Sequence, residues 1–215
     1  MPDRTHRLAA WLTKTASPVL RRGGRTFFDL EISGADHIPS EGGFVVAANH
    51  LSHIDPVVVT MSIGREVRYI ALDELFGSGA VFDAVTLFFG AIPTNRDGAP
   101  LGALKEAIRH IHDGGVVGLF PEGRRVAYWG ESAPKRGAAW LAWMTGAPLL
   151  PVTVHGTHRT LSPATQEEVG RPSLRVWVDS PLEWDEYAVF EDPLGAMIEQ
   201  WHDRVGNHLA PWWPK

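Results

Sequence analysis

"FVVAANHLSHIDP", residues 44–56, sets an unbroken apolar run directly before two histidines and an aspartate. Five consecutive apolar residues predict a short strand buried on both faces, as the central strands of a parallel sheet are. The polar residues that follow then fall at the strand's carboxyl end, where open α/β sheets place their sites. Asp55-Pro56 marks a bend and a helix start, because the residue before a proline is disfavoured in the α region and proline suits the first helical position. The stretch alone leaves three readings of its polar groups. They are a helix start with Asp55 as N-cap, a metal site, or a general base with its orienting carboxylate.

The flanking sequence supplies the rest of the sheet. Phe28, Leu30 and Ile32 alternate with Asp29, Glu31 and Ser33, which predicts a half-buried strand. "VRYIAL" (67–72), "GAIPTNR" (90–96), "GGVVGLF" (114–120), "LLPVTVHG" (149–156) and "LRVWVD" (174–179) read as further strands or strand ends. Helices are expected over 56–63, 82–89, 99–112, 135–148 and 193–209. Strands and helices alternate without repeat or low-complexity linker. That order predicts a single α/β domain, with a largely parallel central sheet covered by helices.

Composition narrows the classes. The 215 residues suffice for one substantial domain, and 44% hydrophobic with 21% charged residues is ordinary for a folded protein. The absence of cysteine excludes disulfides and thiolate metal sites. No apolar run approaches a membrane span, and the N-terminus lacks the apolar core of a secretory signal. Residues 1–25 carry six basic side chains against Asp3 alone, a net of +5, so the remaining chain carries −10. Leu8, Trp11, Leu12, Thr15, Ala16 and Val19 recur at helical spacing within that basic head. The division expected is a basic amphipathic N-terminal helix within 1–25, touching a membrane surface, and a functional domain over 26–215. The same helix could equally pack on its own domain. The acidic body offers no basic stripe for nucleic acid.

Three polar clusters fall at strand ends: Asn49 to Asp55, Thr94 to Asp97 and Pro121 to Arg125. His50 and Asp55, five residues apart, would diverge on a regular helix and meet only if the chain bends between them. A carboxylate beside the imidazole would then fix its tautomer for general-base work. Arg96, Arg124 and Arg125 follow separate strands and could converge on one anion, for which the planar guanidinium is well suited. Glu122 among them could position an arginine, accept from a substrate hydroxyl, or make an internal salt bridge. Two rivals compete. A metal hydrolase would use His50, His53 and Asp55, with His155 and His158 as further ligand types. A non-catalytic lipid-binding module would use the basic helix and arginines alone.

These residues carry a resemblance. "NHLSHID" (49–55) resembles the NHxSxxD box of the glycerolipid acyltransferases, typified by 1-acylglycerol-3-phosphate (lysophosphatidate) acyltransferase. "GAIPTNR" (90–96) resembles that family's second block, "FPEGRR" (120–125) its FPEGTRS box, and "KRGAAWLAWMTGAPLLPV" (135–152) its later Lys-x-Gly helix and Pro-Val block. The four blocks stand in the family's order. The resemblance implies transfer of an acyl chain from acyl-CoA or acyl carrier protein to a free hydroxyl of a lysophospholipid, most simply 1-acylglycerol-3-phosphate. It implies His50 as general base and Asp55 as its orienting carboxylate. Arg96, Glu122, Gly123, Arg124, Arg125 and Lys135 fall on acceptor- and phosphate-binding positions. The thioester is already activated, so neither metal nor other cofactor is implied. A peripheral location on the cytoplasmic face of a membrane follows. The chain departs from the pattern where Arg124 and Val126 replace the family's Thr and Ser. Phe88, Phe89, Trp140 and Trp143 are candidates for an acyl tunnel.

Overall fold

A computed structural model describes residues 29–72, 92–94, 101–159 and 173–213. The expected basic helix over 8–19, the helix over 82–89 and Arg96 lie outside the described residues. Among the described residues seven strands form one sheet: β1 (Asp29–Ser33), β2 (Phe44–Ala48), β3 (Val67–Leu72), β4 (Ile92–Thr94), β5 (Val116–Leu119), β6 (Leu149–His155) and β7 (Ser173–Val178). Their order across the sheet is β1-β7-β6-β2-β5-β3-β4. The five from β6 to β4 are mutually parallel, while β7 runs antiparallel to β6 and carries β1 parallel to itself. The expected single α/β domain with a largely parallel sheet is the architecture observed.

β2 occupies the centre because nothing in it needs water. All five of its residues are fully buried, and alternate side chains serve opposite faces. Val45 and Ala47 join one core cluster with α2 (Leu101–His112), α3 (Gly137–Thr145) and α5 (Pro193–Leu209). Phe44, Val46 and Ala48 join the other, with Val58, Val59 and Ile63 of α1 (Asp55–Ile63). A one-turn helix, α4 (Trp184–Tyr187), packs beside α5 and was not anticipated. Trp201 anchors the first cluster and donates from Nε1 to the Ala47 carbonyl at 2.8 Å.

This arrangement sets where a site can form. The helix after β2 packs on one face of the sheet, and the helix after the neighbouring parallel strand β5 packs on the other. The two chains therefore part at the carboxyl ends of β2 and β5, the kind of place where an open α/β sheet forms its crevice. Asn49 locks the third side. Its amide donates to the Val154 carbonyl at 2.9 Å and accepts from the Val154 N–H at 2.7 Å, which extends the β2–β6 ladder by one side chain.

Candidate active site

The bend before Pro56 brings Asp55 back to His50. His50 Nδ1 lies 3.0 Å from Asp55 Oδ2, and the same oxygen accepts from the Leu51 and Ser52 amides, each at 2.6 Å. The carboxylate is fully buried while the imidazole is 17% exposed. Asp55 is not an N-cap: its side chain makes no bond to the first helical amides and turns backward into the loop. The local sequence fits a cap, but three donors behind Asp55 outcompete one ahead of it. With Nδ1–H donating to the carboxylate, the tautomer is set and Nε2 is the ring nitrogen left unprotonated.

The loop after β5 closes over the other side of His50. Phe120 stacks on the imidazole with ring centroids 4.0 Å apart, and Tyr69 stacks on Phe120 in turn. Gly118 makes room for this, since a Cβ there would stand 2.4 Å from the Tyr69 ring. The Tyr69 hydroxyl donates to the Pro56 carbonyl at 3.2 Å and so braces the start of α1. Burial pushes the Tyr69 phenol upward, so it remains a neutral donor. Neither Asn49's ladder nor the Phe120–Tyr69 stack was anticipated from sequence. The one signal available was the Asn immediately before His50.

Glu122 is buried, with one oxygen on the His50 amide at 3.2 Å. Desolvation pushes its carboxyl up to about 7. Gly123 adopts φ +70°, and a Cβ there would meet the Lys135 side chain within 3 Å, so Lys135 lies folded over this turn. The Lys135 amide also donates to the Pro121 carbonyl at 2.7 Å. Arg125 is half-buried beside the dyad. Burial lowers its pKa and the Asp55 charge acts the other way. Arg124 is 57% exposed and pairs with Glu131 at 2.8 Å. Glu131 also accepts from the Ala127 amide at 2.6 Å, which ties Arg124 into a small loop of its own.

Of the remaining histidines, His53 is half-buried, and its pKa is lowered by burial, then by Arg125 and His50. His158 lies on the turn after β6, near enough that the Asp55 charge opposes the lowering by burial and Arg159. Among the described residues no three His, Asp or Glu side chains gather as a metal site requires. Trp143 stands at the surface, 46% exposed beside Trp184, and Trp140 packs on the core. Phe88 and Phe89 lie outside the described residues. Trp212 stacks on His155 at 4.0 Å and Trp213 meets His158 edge-on, both half-buried. No described helix is long and apolar enough to cross a membrane.

Comparison with known proteins bears on this geometry. The family model described as Acyltransferase matches residues 29–155, a span holding both strand-end loops and His50 through Lys135. A 1-acyl-sn-glycerol-3-phosphate acyltransferase of Bacillus subtilis is 28% identical over 86% of this chain and 87% of its own length. A chloroplastic protein of the same name from Brassica napus is 27% identical over 73% of this chain, which spans only 46% of that longer relative. The crystal structure of the 1-acyl-sn-glycerophosphate (LPA) acyltransferase, PlsC, from Thermotoga maritima shares the fold, with a TM-score of 0.74. That alignment covers all of this chain and 86% of the other at 24% identity.

Proposed function

The chain belongs to the acyltransferase family, and from that premise we propose that it acylates a lysophospholipid with His50 as general base. The acceptor proposed is 1-acylglycerol-3-phosphate, giving phosphatidic acid, and the donor is an acyl thioester of coenzyme A or acyl carrier protein. One observation carries the reading: a buried Asp55, bonded to two backbone amides, holds His50 Nδ1 at 3.0 Å and so leaves Nε2 outside that bond. The name shared by the Bacillus and Brassica relatives supports the acceptor.

In this scheme the acceptor hydroxyl gives its proton to His50 Nε2 as its oxygen attacks the thioester carbonyl. The C–O bond forms, and a tetrahedral oxyanion results. Its collapse breaks the C–S bond, and the leaving thiolate takes the proton back from Nε2. Asp55 keeps its own charge throughout and stabilises the transient imidazolium. A positioned base of this kind contributes roughly 10²–10⁴-fold. Arg125 and Lys135 hold the acceptor phosphate, with Arg96 a further candidate from the second block. Arg124, already paired with Glu131, shapes the loop instead. The thioester supplies the activation, so the scheme calls on neither metal nor other cofactor. The protein works peripherally at the cytoplasmic face of a membrane, with the basic residues 1–25 as the contact.

An acceptor panel tests this directly. With one labelled acyl-CoA, and the matching acyl carrier protein thioester in parallel, product should form on lysophosphatidate. It should fall at least tenfold on lysophosphatidylcholine or monoacylglycerol. Equal rates on all three would remove the phosphate-binding assignment, and labelled free fatty acid as the sole product would mean a hydrolase.

A further inference from the structure

His50 is held by its main chain as firmly as by its ring. Its N–H donates to Glu122 Oε1 at 3.2 Å, and its carbonyl accepts from the Val126 amide at 2.8 Å. Its ring lies on Phe120 at an interplanar angle of 17°. All three partners belong to the single loop that follows β5. Both backbone groups of the base are therefore fixed from the neighbouring strand end, by Glu122, 72 residues away in sequence, and by Val126 just beyond it.

Glu122 is poorly equipped to bind a phosphate. When ionised it offers only acceptors to a group that is itself all acceptors, and in either protonation state its Oε1 is already engaged by the His50 amide. Its position instead satisfies a part-buried loop amide that would otherwise lack a protein acceptor. The second carboxyl oxygen, Oε2, is buried and makes no hydrogen bond among the described residues. The burial that raises this carboxyl also means that Oε1 must accept from His50 whether the group is charged or neutral.

We propose that Glu122 is a positioning residue for His50, acting through the His50 amide to hold the imidazole in register with Asp55. The proposal rests on the acyltransferase reading for its kinetic arm only. It assigns Glu122 by the length of its side chain and by its acceptor oxygen, whereas a role in acceptor binding would assign it by charge. These demands separate two substitutions. Glu122→Gln keeps the length and a carbonyl oxygen but loses the charge. Glu122→Asp keeps the charge but is one methylene short.

The experiment measures acyl transfer from labelled acyl-CoA to lysophosphatidate, together with hydrogen exchange of the His50 amide, on the full chain. For Glu122→Gln we expect kcat within about threefold of the parent, an unchanged acceptor KM and a protected His50 amide. For Glu122→Asp we expect kcat to fall about 30- to 100-fold at unchanged KM, with at least tenfold faster exchange. The reverse order, Asp active and Gln inactive, would overturn the proposal, as would a loss carried by acceptor KM. If the parent itself transfers nothing to lysophosphatidate, the functional reading fails and the exchange arm alone decides the clamp. His50 protection lost in Asp and kept in Gln upholds it, and protection kept in both refutes it.

Discussion

Among the described residues, two histidine–aspartate pairs sit at nearly the same separation. His50 Nδ1 and Asp55 Oδ2 are 3.0 Å apart, and His208 Nε2 lies 3.1 and 3.2 Å from the two oxygens of Asp179. Each imidazole also lies on an aromatic ring, Phe120 for His50 and Trp177 for His208, but the rest of their surroundings differ. Asp55 is fully buried and carries two backbone amides, whereas Asp179 is 24% exposed. The first pair engages Nδ1 and leaves Nε2 out of the bond, while the second uses up Nε2. The first stands in a crevice between diverging strand ends, the second on the flank of α5. A hydrogen-bond distance therefore does not distinguish the proposed catalytic dyad from a surface tie. Burial of the carboxylate, the choice of ring nitrogen and the fixing of the backbone do.

The two aspartates should part most widely under the same substitution. Asp55→Asn should lower kcat by roughly 10³-fold, since the amide can neither hold the tautomer nor support the imidazolium. Steady-state transfer with circular dichroism as the folding control checks this. A loss under tenfold would mean that Asp55 only shapes the loop. Arg125→Ala should come next, raising the acceptor KM about tenfold through loss of a charge-assisted contact. Arg124→Ala should change it by less than about threefold, since its charge is spent on Glu131. Equal effects of the two would put Arg124 back at the phosphate.

Acid stability gives a smaller and differently signed effect. Burial depresses His155 to about 4 from 6.5, so between those values the unfolded chain binds more protons than the folded one. Its contribution to stability is lost as pH falls through that window and is fully present above it. Glu122, raised to about 7, pulls the other way, with stability falling as pH climbs from the ordinary carboxylate range toward 7. Urea midpoints at pH 5 and pH 7 should therefore differ less in favour of pH 7 for His155→Phe than for the parent. An unchanged difference would mean that His155 is not the group responsible. The smallest effect belongs to the second pair. Asp179→Asn should leave acyl transfer within about twofold and cost less than about 1 kcal/mol, the usual worth of a partly exposed ion pair. Loss of activity there would break the distinction between the pairs.

How much of this was legible depended on how local the cause was. The buried run 44–48 reads directly as a central strand, because all its neighbours are apolar and the strand needs no other information. The bend that joins Asp55 to His50 is legible through Pro56. The cap reading of Asp55, one of the alternatives left open, could not be dismissed from sequence, because the amides that capture the carboxylate lie behind it and no local pattern distinguishes the two directions. The Glu122 and Phe120 contacts were out of reach. They depend on β5 inserting between β2 and β3, a choice of strand order that no stretch of residues encodes. The Arg124–Glu131 pair was hidden for the same reason, since it needs the loop already folded.

The central claim is that His50 removes the acceptor's proton. Single-turnover transfer from labelled acyl-CoA to lysophosphatidate, comparing the parent with His50→Ala, tests it most directly. The account predicts a fall of at least 10³-fold, with lysophosphatidate binding and the circular dichroism spectrum unchanged. Transfer by His50→Ala at the parent rate would contradict it.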